Sequence, residues 1–350
     1  MKADSLHSLS AFVFLLNLVL FSQAQTGKNI NDSLLLESDT LYIQQMKQWI
    51  AIDLSFNNTY KTFEVQTPNT DILLYPNAPN QLRVKLNYDM LSLGFQFAPS
   101  FLPGNGDEDL KGETSSFELG GRLILKHCFT EFSYSNVKGH YLRNTGDHIP
   151  WNSGDPYIQF PDLNYKGVSS SSAYISNSNY SLRSLLTHTE RQLKSAGSFI
   201  PNLNIDYFII DDASNGEQTQ KSNNWEINVG PGYAYTFVLN QKVFIATAAH
   251  LNAGYLRTKL TTRQFDTEYI TYQNNFVSRW QGKMAIGYNA TRLYGGIYST
   301  YSGTHYTQEN TTASNTENRI FYHIYFGVRL AAPKALSKKT KEVKEHLPIP

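Results

Sequence analysis

The sequence has little of what stabilises most secreted soluble proteins. It contains a single cysteine, Cys128, so no disulfide can form within the chain. Charged residues make up only 17% of its 350 residues, against roughly 25% in typical soluble domains. The formal net charge is +1, which gives no reason to expect nucleic acid or another strongly charged partner.

Long apolar runs are almost absent. The one clear run extends from Ala11 to Phe21 and is too short to span a bilayer as a helix, which needs about 20 residues. Lys2 precedes it, and the small-x-small sequence Ser22-Gln23-Ala24 follows it. This arrangement predicts a signal peptide over residues 1–24 and export of the mature chain.

Catalytic and metal-binding signatures are also missing. There is no G-x-S-x-G and no H-E-x-x-H, and S-x-x-K occurs only at Ser135 on a predicted strand. Residues 107–118 place Asp107, Asp109, Gly112 and Glu118 at calcium-loop spacing, but Lys111 stands where an oxygen ligand belongs. We therefore expect a solvated acidic loop, no metal or cofactor, and no enzyme.

The chain is rich in aromatic residues, and many of its segments alternate between apolar and polar side chains. Aromatic content is 13%, with 23 Tyr and 20 Phe. In WEINVGPGYAYTF, Trp225 to Phe237, large apolar side chains occupy one face of a predicted strand and small or polar ones the other. Aromatic and apolar residues facing outward, with polar ones inward, are typical of a membrane barrel. Pro231 predicts a bulge or bend in this strand.

Twelve alternating segments are separated by connections that are mostly long and short in turn. This predicts an all-β fold, an antiparallel transmembrane β-barrel of about 12 strands over residues 48–330, with short periplasmic turns and long extracellular loops. The longest connection is expected at 144–177. Predicted strands cover residues 49–60, 80–89, 91–99, 114–126, 128–143, 178–188, 196–210, 224–238, 241–257, 273–289, 292–306 and 318–330. Residues 25–47 are predicted to be an N-terminal periplasmic segment, which would pack there or enter the lumen, and 331–350 a basic C-terminal tail.

Three runs carry a family resemblance: DTLYIQQMKQWIAIDLSF from Asp39, YPNAP from Tyr75, and YSLRSLLTHTERQLKSAGSFIP from Tyr180. They resemble an uncharacterised outer-membrane β-barrel family of Gram-negative, Bacteroidota-type bacteria, known as a domain of unknown function, over about residues 39–330. The resemblance implies the fold and the membrane but no activity.

Charged residues are expected to point into the lumen. Buried charges must be paired or hydrated, so these side chains form either an ion-pair ladder that braces the wall or the lining of a narrow solute path. They are Asp53, Arg83, Lys85, Glu118, Arg122, Arg183, Asp206, Glu226, Arg279 and Lys283.

The densest polar cluster is expected at a periplasmic turn. It would organise that turn, or dock a periplasmic partner or the barrel's own tail. Its members are His188, Glu190, Arg191, Gln192, Lys194 and Ser195.

These patterns predict a monomer in the outer membrane, a structural or interaction barrel with a mostly closed lumen. A narrow channel for small polar solutes is the alternative, and a lipid-modifying outer-membrane enzyme is the second. The expected partners are outer-membrane lipid, the barrel assembly machinery and a periplasmic protein.

Overall fold

The computed structural model is almost entirely β-structure. It describes residues 41–58, 62–66, 71–214, 218–265, 267–307, 309, 314–336, 338, 340 and 342. The strands are β1 (Ile43–Gln45), β2 (Trp49–Asn57), β3 (Phe63–Gln66), β4 (Asp71–Tyr75), β5 (Gln81–Tyr88), β6 (Leu91–Phe97), β7 (Ser115–Ile124), β8 (Cys128–Leu142), β9 (Gln159–Tyr174), β10 (Glu190–Gln192), β11 (Ala196–Phe199), β12 (Asn202–Asp212), β13 (Gln218–Gly230), β14 (Gly232–Leu239), β15 (Val243–Gln264), β16 (Thr267–Asn289), β17 (Leu293–Thr307) and β18 (Ser314–Ala331). Two single-turn helices are α1 (Glu108–Lys111) and α2 (Arg183–Leu186).

Twelve antiparallel wall strands close into a ring, which confirms the predicted fold class. β11 and β12 form one wall strand, and β13 and β14 form another. The ring closes where β18 pairs with β2, from His323 opposite Asn57 to Ala331 opposite Trp49. Within the described residues each wall strand pairs with a neighbour on both sides, as a barrel in lipid requires, and β16 extends beyond β17 from Thr267 to Val277 at the long-loop end. We call the end with the turns after β5, β7, β14 and β16 the short-turn end, and the other the long-loop end.

The wall is apolar outside and polar inside. Leu54, Leu93 and Phe326 are 53%, 63% and 60% exposed on the outer face. On the inner face Asp53 and Asn87 are 1% and 0% exposed. This inversion confirms that the ring-bearing face of residues 225–237 points outward, and the strand breaks at Pro231 as predicted.

The predicted strand over 178–188 and the predicted loop over 144–177 are wrong. The sixth wall strand is β9, and its middle is the serine run 169–172. Ser170 and Ser172 face outward yet are buried at 2% and 3% exposure, so small residues stand where alternation would show large ones.

Residues 175–195, which we call the inserted segment, leave β9 at the short-turn end and return to the wall at β11. They include α2 and β10, and residues 187–192 are all buried. β1 pairs with β10 in a separate two-stranded sheet, Gln44 opposite Arg191. The segment therefore folds into the end of the barrel, with β1 paired along it.

The long-loop end continues beyond the twelve-stranded ring. Here β4 pairs with β8, and β3 pairs with β18, so the β3–β4 hairpin takes over from the short strands β2, β5, β6 and β7. β15 and β16 stay paired from Val243 to Gln264, where a loop was predicted over 259–272. Within the described residues, no helix has the length and apolarity to cross a membrane.

The predicted signal peptide 1–24 lies outside the described residues, as do most residues of the predicted segment 25–47 and about half of the tail 331–350. Those domain boundaries stay predictions.

Candidate functional site

Two lumen ion pairs lie on neighbouring strands on one side of the wall. Lys85 Nζ is 3.1 Å from Asp53 Oδ1, directly across the β2–β5 register. Arg83 Nη2 is 2.5 Å from Glu118 Oε1, and Arg83 Nε donates to Gln96. Asp53 also accepts a hydrogen bond from Asn87 at 3.0 Å. The wall here is braced by connected pairs, not by isolated charges.

Two further pairs lie elsewhere on the wall. Arg122 is 2.7 Å from Glu131, its register partner on β8. Arg279 is 2.6 Å from Glu226, two strands away. Sequence reasoning missed Glu131, although it has the same inward phase as Ser133 and Ser135 on β8. Following that phase back along the strand would have found it.

Asp206 and Lys283 complete the predicted wall charges. Asp206 lies opposite Glu226 in the β12–β13 register, and Lys283 lies opposite Ala248. Among the described residues, neither has an ion-pair partner within 4 Å.

Arg183 does not lie on the wall, contrary to the prediction, because residues 183–186 form α2 of the inserted segment. Its guanidinium is 3.0 Å from Glu190 and 3.7 Å from Asp89 in the β5–β6 turn. Its Nε donates to the carbonyl of Ile124 at 2.7 Å. This 3%-exposed side chain thus ties the inserted segment to itself and to two turns of the wall.

A second arginine, Arg191, fixes the other half of the inserted segment. It donates to the carbonyls of Asn289 and Gln241 at 2.9 Å each, and to the Gln44 side chain at 2.7 Å. Arg329, which projects from the wall, donates to the carbonyl of His188 at 2.8 Å. These bonds join the inserted segment to the turns after β14 and β16 and to β18.

His188 packs inside the barrel against two wall tyrosines. Its ring stacks on Tyr294 and Tyr325, with centroids 4.2 and 5.0 Å apart. Burial, together with the nearby charges of Lys85 and Arg329, holds the pKa of His188 well below its ordinary value. The imidazole is therefore neutral near pH 7.

Of the predicted polar cluster, His188, Glu190, Arg191 and Gln192 are buried in the inserted segment. Gln192 accepts from the backbone nitrogen of Ser181 at 2.7 Å and donates to the Asn179 carbonyl. Lys194 is exposed, over the ring of Tyr42, and Ser195 accepts a bond from the backbone nitrogen of Val238. Four of the six predicted residues thus hold the inserted segment in place and present no docking surface.

The residues at calcium-loop spacing are not gathered into one site. Lys111 donates to Asp107 at 2.6 Å within the α1 turn, while Glu118 lies on β7 in its pair with Arg83. No cluster of three or more His, Cys, Asp or Glu that would suit a metal ion occurs in the part of the chain that the structure describes.

A cavity of about 490 Å³ lies in the lumen above the inserted segment. Its lining includes leucines of the segment and the wall charges Arg122, Glu131, Arg279 and Lys283.

Several solved outer-membrane proteins are similar to this chain at low identity. The beta domain of the Bordetella autotransporter BrkA is 11% identical with a TM-score of 0.39, covering 80% of this chain and 99% of that chain. The Escherichia coli outer-membrane protease OmpT is 7% identical with a TM-score of 0.33, covering 83% and 98%. The transport unit of the E. coli autotransporter AIDA-I is 10% identical with a TM-score of 0.35, covering 90% and 97%.

No curated protein matches the chain in sequence. A family model described as a domain of unknown function, DUF4421, matches residues 37–330. The protein is a closed, all-β barrel, and its chain belongs to the DUF4421 family.

Proposed function

We propose that the protein is a monomeric, non-conducting barrel with a structural or interaction role in the outer membrane. The observation that carries this proposal is the inserted segment, which occupies the bore at the short-turn end. That end faces the periplasm, because bacterial barrels have short periplasmic turns and long extracellular loops. A conducting pore needs a continuous path, and the segment interrupts it.

Two features support a permanent closure. The segment's apolar side chains pack against the inner wall in a cluster that includes Tyr180, Phe129, Ile200 and Ala234. Its polar groups bond to four turns of the wall through Arg183 and Arg191. Withdrawal of the segment would expose the apolar cluster and leave buried charges unpaired, which costs several kcal/mol.

The interaction role concerns the periplasmic surface. Lys194 of the inserted segment is exposed, as are Lys242 and Arg292 on the wall turns next to it. An acidic surface of a periplasmic protein is the partner that this charge favours. Insertion by the barrel assembly machinery and a Bacteroidota-type host stay predictions that rest on the fold class and the motif resemblance.

Planar-bilayer recording tests the closure. The unmodified protein should show no steady openings. A variant with a Gly-Ser linker in place of residues 180–190 should open, while a matched replacement of residues 101–106 at the long-loop end should stay silent. Heat-modifiable gel migration checks that each variant has assembled. Steady ion-selective openings of the unmodified protein would favour the narrow channel instead.

A further inference from the structure

The lumen cavity has an apolar floor. Leu182, Leu185 and Leu186 of the inserted segment are only partly buried and line the cavity from below. Phe129 and Phe244 line it from the wall at the same end. At about 490 Å³ the cavity has the size of pockets that hold small molecules, roughly 300–1,000 Å³. Its floor gives water few hydrogen-bond partners, so an apolar group is favoured there.

The lining becomes polar at one level of the wall. Along β15 the inward residues are Phe244, Ala246 and Ala248, followed by His250 and Asn252. Across the register on β16, Ala285 lies opposite Ala246, while Lys283, Gln281 and Arg279 lie opposite the next three. On β8 and β9 the same change occurs, from Phe129 and Ala173 to Glu131 and Ser171. The cavity is therefore apolar near the inserted segment and polar towards the long-loop end.

One positive charge at this boundary is not balanced. Arg122 is paired with Glu131, and Arg279 with Glu226, so these charges cancel. Lys283 has no ion-pair or hydrogen-bond partner among the described residues, and its side chain is exposed within the lumen. Glu131 is the carboxylate whose charge acts on Lys283, but it is already paired with Arg122. An anionic group beside Lys283 would therefore meet a cation that no carboxylate pairs with directly.

We propose that this cavity binds a single-chain amphiphile with an anionic head group. The carboxylate or phosphate pairs with Lys283, and the chain lies on the floor formed by Leu182, Leu185 and Leu186. A small hydrophilic anion would leave that floor in water, and a neutral hydrocarbon would leave Lys283 unpaired. The proposal rests on the proposed function, because the floor exists only while the inserted segment closes the bore.

Native mass spectrometry of the delipidated protein in an uncharged detergent tests the site. We expect one myristate per chain, at least tenfold tighter than tetradecanol, and no adduct with butyrate. Lys283→Met should weaken myristate binding at least tenfold and leave tetradecanol unaffected. The matched control is Lys138→Met, which removes an exposed lysine paired with Asp162 at the long-loop end.

Leu186→Gln should weaken both fourteen-carbon ligands, because it makes the floor polar. Myristoyl lysophosphatidylglycerol is tested beside myristate. Tighter binding of the lysophospholipid indicates a phospholipid source, and tighter binding of myristate indicates a free fatty acid. Equal binding of myristate and tetradecanol, or undiminished myristate binding by Lys283→Met, would overturn the proposal. Bilayer recording of the same preparations separates the ligand-binding proposal from the proposed closure of the bore. A barrel that conducts no current and binds no myristate refutes the binding site. A barrel that conducts current and binds myristate refutes the closure of the bore.

Discussion

Replacing Arg183 should loosen the inserted segment. In Arg183→Met the carboxylates of Glu190 and Asp89, whose side chains are both 7% exposed, lose their shared cation, and the Ile124 carbonyl loses a donor. Removing one partner of a buried ion pair costs about 3–5 kcal/mol. We therefore expect the free energy of unfolding, measured by urea titration in lipid vesicles, to fall by about that amount. Amide hydrogen exchange should increase first in residues 180–192.

The double variant Arg183→Met, Glu190→Gln should recover part of the loss, because one uncompensated charge is also removed. Lys138→Met serves as the matched control: it breaks an ion pair whose side chains are 51% and 47% exposed, and such pairs contribute about 0–1 kcal/mol. If Arg183→Met unfolds at the same urea concentration as Lys138→Met, the segment is not held as described.

Three further outcomes are expected. Ile324→Arg puts a charge on the lipid-facing side of the wall, where Ile324 is 47% exposed. It should lower the stability of the barrel in the membrane by about 2–4 kcal/mol, and should give less assembled barrel than Ile324→Leu. Equal assembly of the two variants would mean that the register is wrong. Glu118→Gln should lower the free energy of unfolding by about 1–2 kcal/mol in urea titrations. The loss is modest because Arg83 keeps Gln96 as a partner, and the side chains of Arg83 and Glu118 retain some contact with lumen water. An unchanged free energy of unfolding would argue against bracing by this pair. Acidification should destabilise the protein through His188: its folded pKa lies well below the unfolded value of about 6.5, so the unfolded state binds more protons and stability falls as pH drops below about 6.5. His188→Gln should flatten the stability slope between pH 7 and 5, and an unchanged slope would exclude this contribution.

The barrel could be predicted from the sequence because lipid and lumen impose a period of two on most wall strands. Trp225 to Phe237 show it plainly, and the structure places the rings outside. β9 was not predicted because its outward positions include the small, buried residues Ser170 and Ser172, where alternation would show large apolar ones. The inserted segment was mistaken for a strand because Tyr180, Leu182 and Leu186 share a period of two. Leu182, Leu185 and Leu186 also have the i, i+3, i+4 spacing of a helical turn, which is what forms inside the bore.

The lumen charges were predictable as a set but not as pairs. Inward phase identifies Arg122 and Glu226, whereas their partners depend on the register between strands, which alternation does not specify. The burial of His188 and Arg191 was not predictable in this way, because a polar run between two strands is typical of an exposed turn. Only the fold of residues 175–195 back into the barrel makes these side chains interior.

Cysteine accessibility tests the position of the inserted segment most directly. In a Cys128→Ser background, Ser184→Cys introduces a thiol at a site that is 2% exposed, and Lys194→Cys introduces one at an exposed site in the same segment. With a membrane-impermeant maleimide on assembled barrel, Lys194→Cys should label within minutes, while Ser184→Cys should label only after the barrel is unfolded by boiling in detergent. Equally fast labelling of the two thiols in the native barrel would contradict a bore closed by residues 175–195.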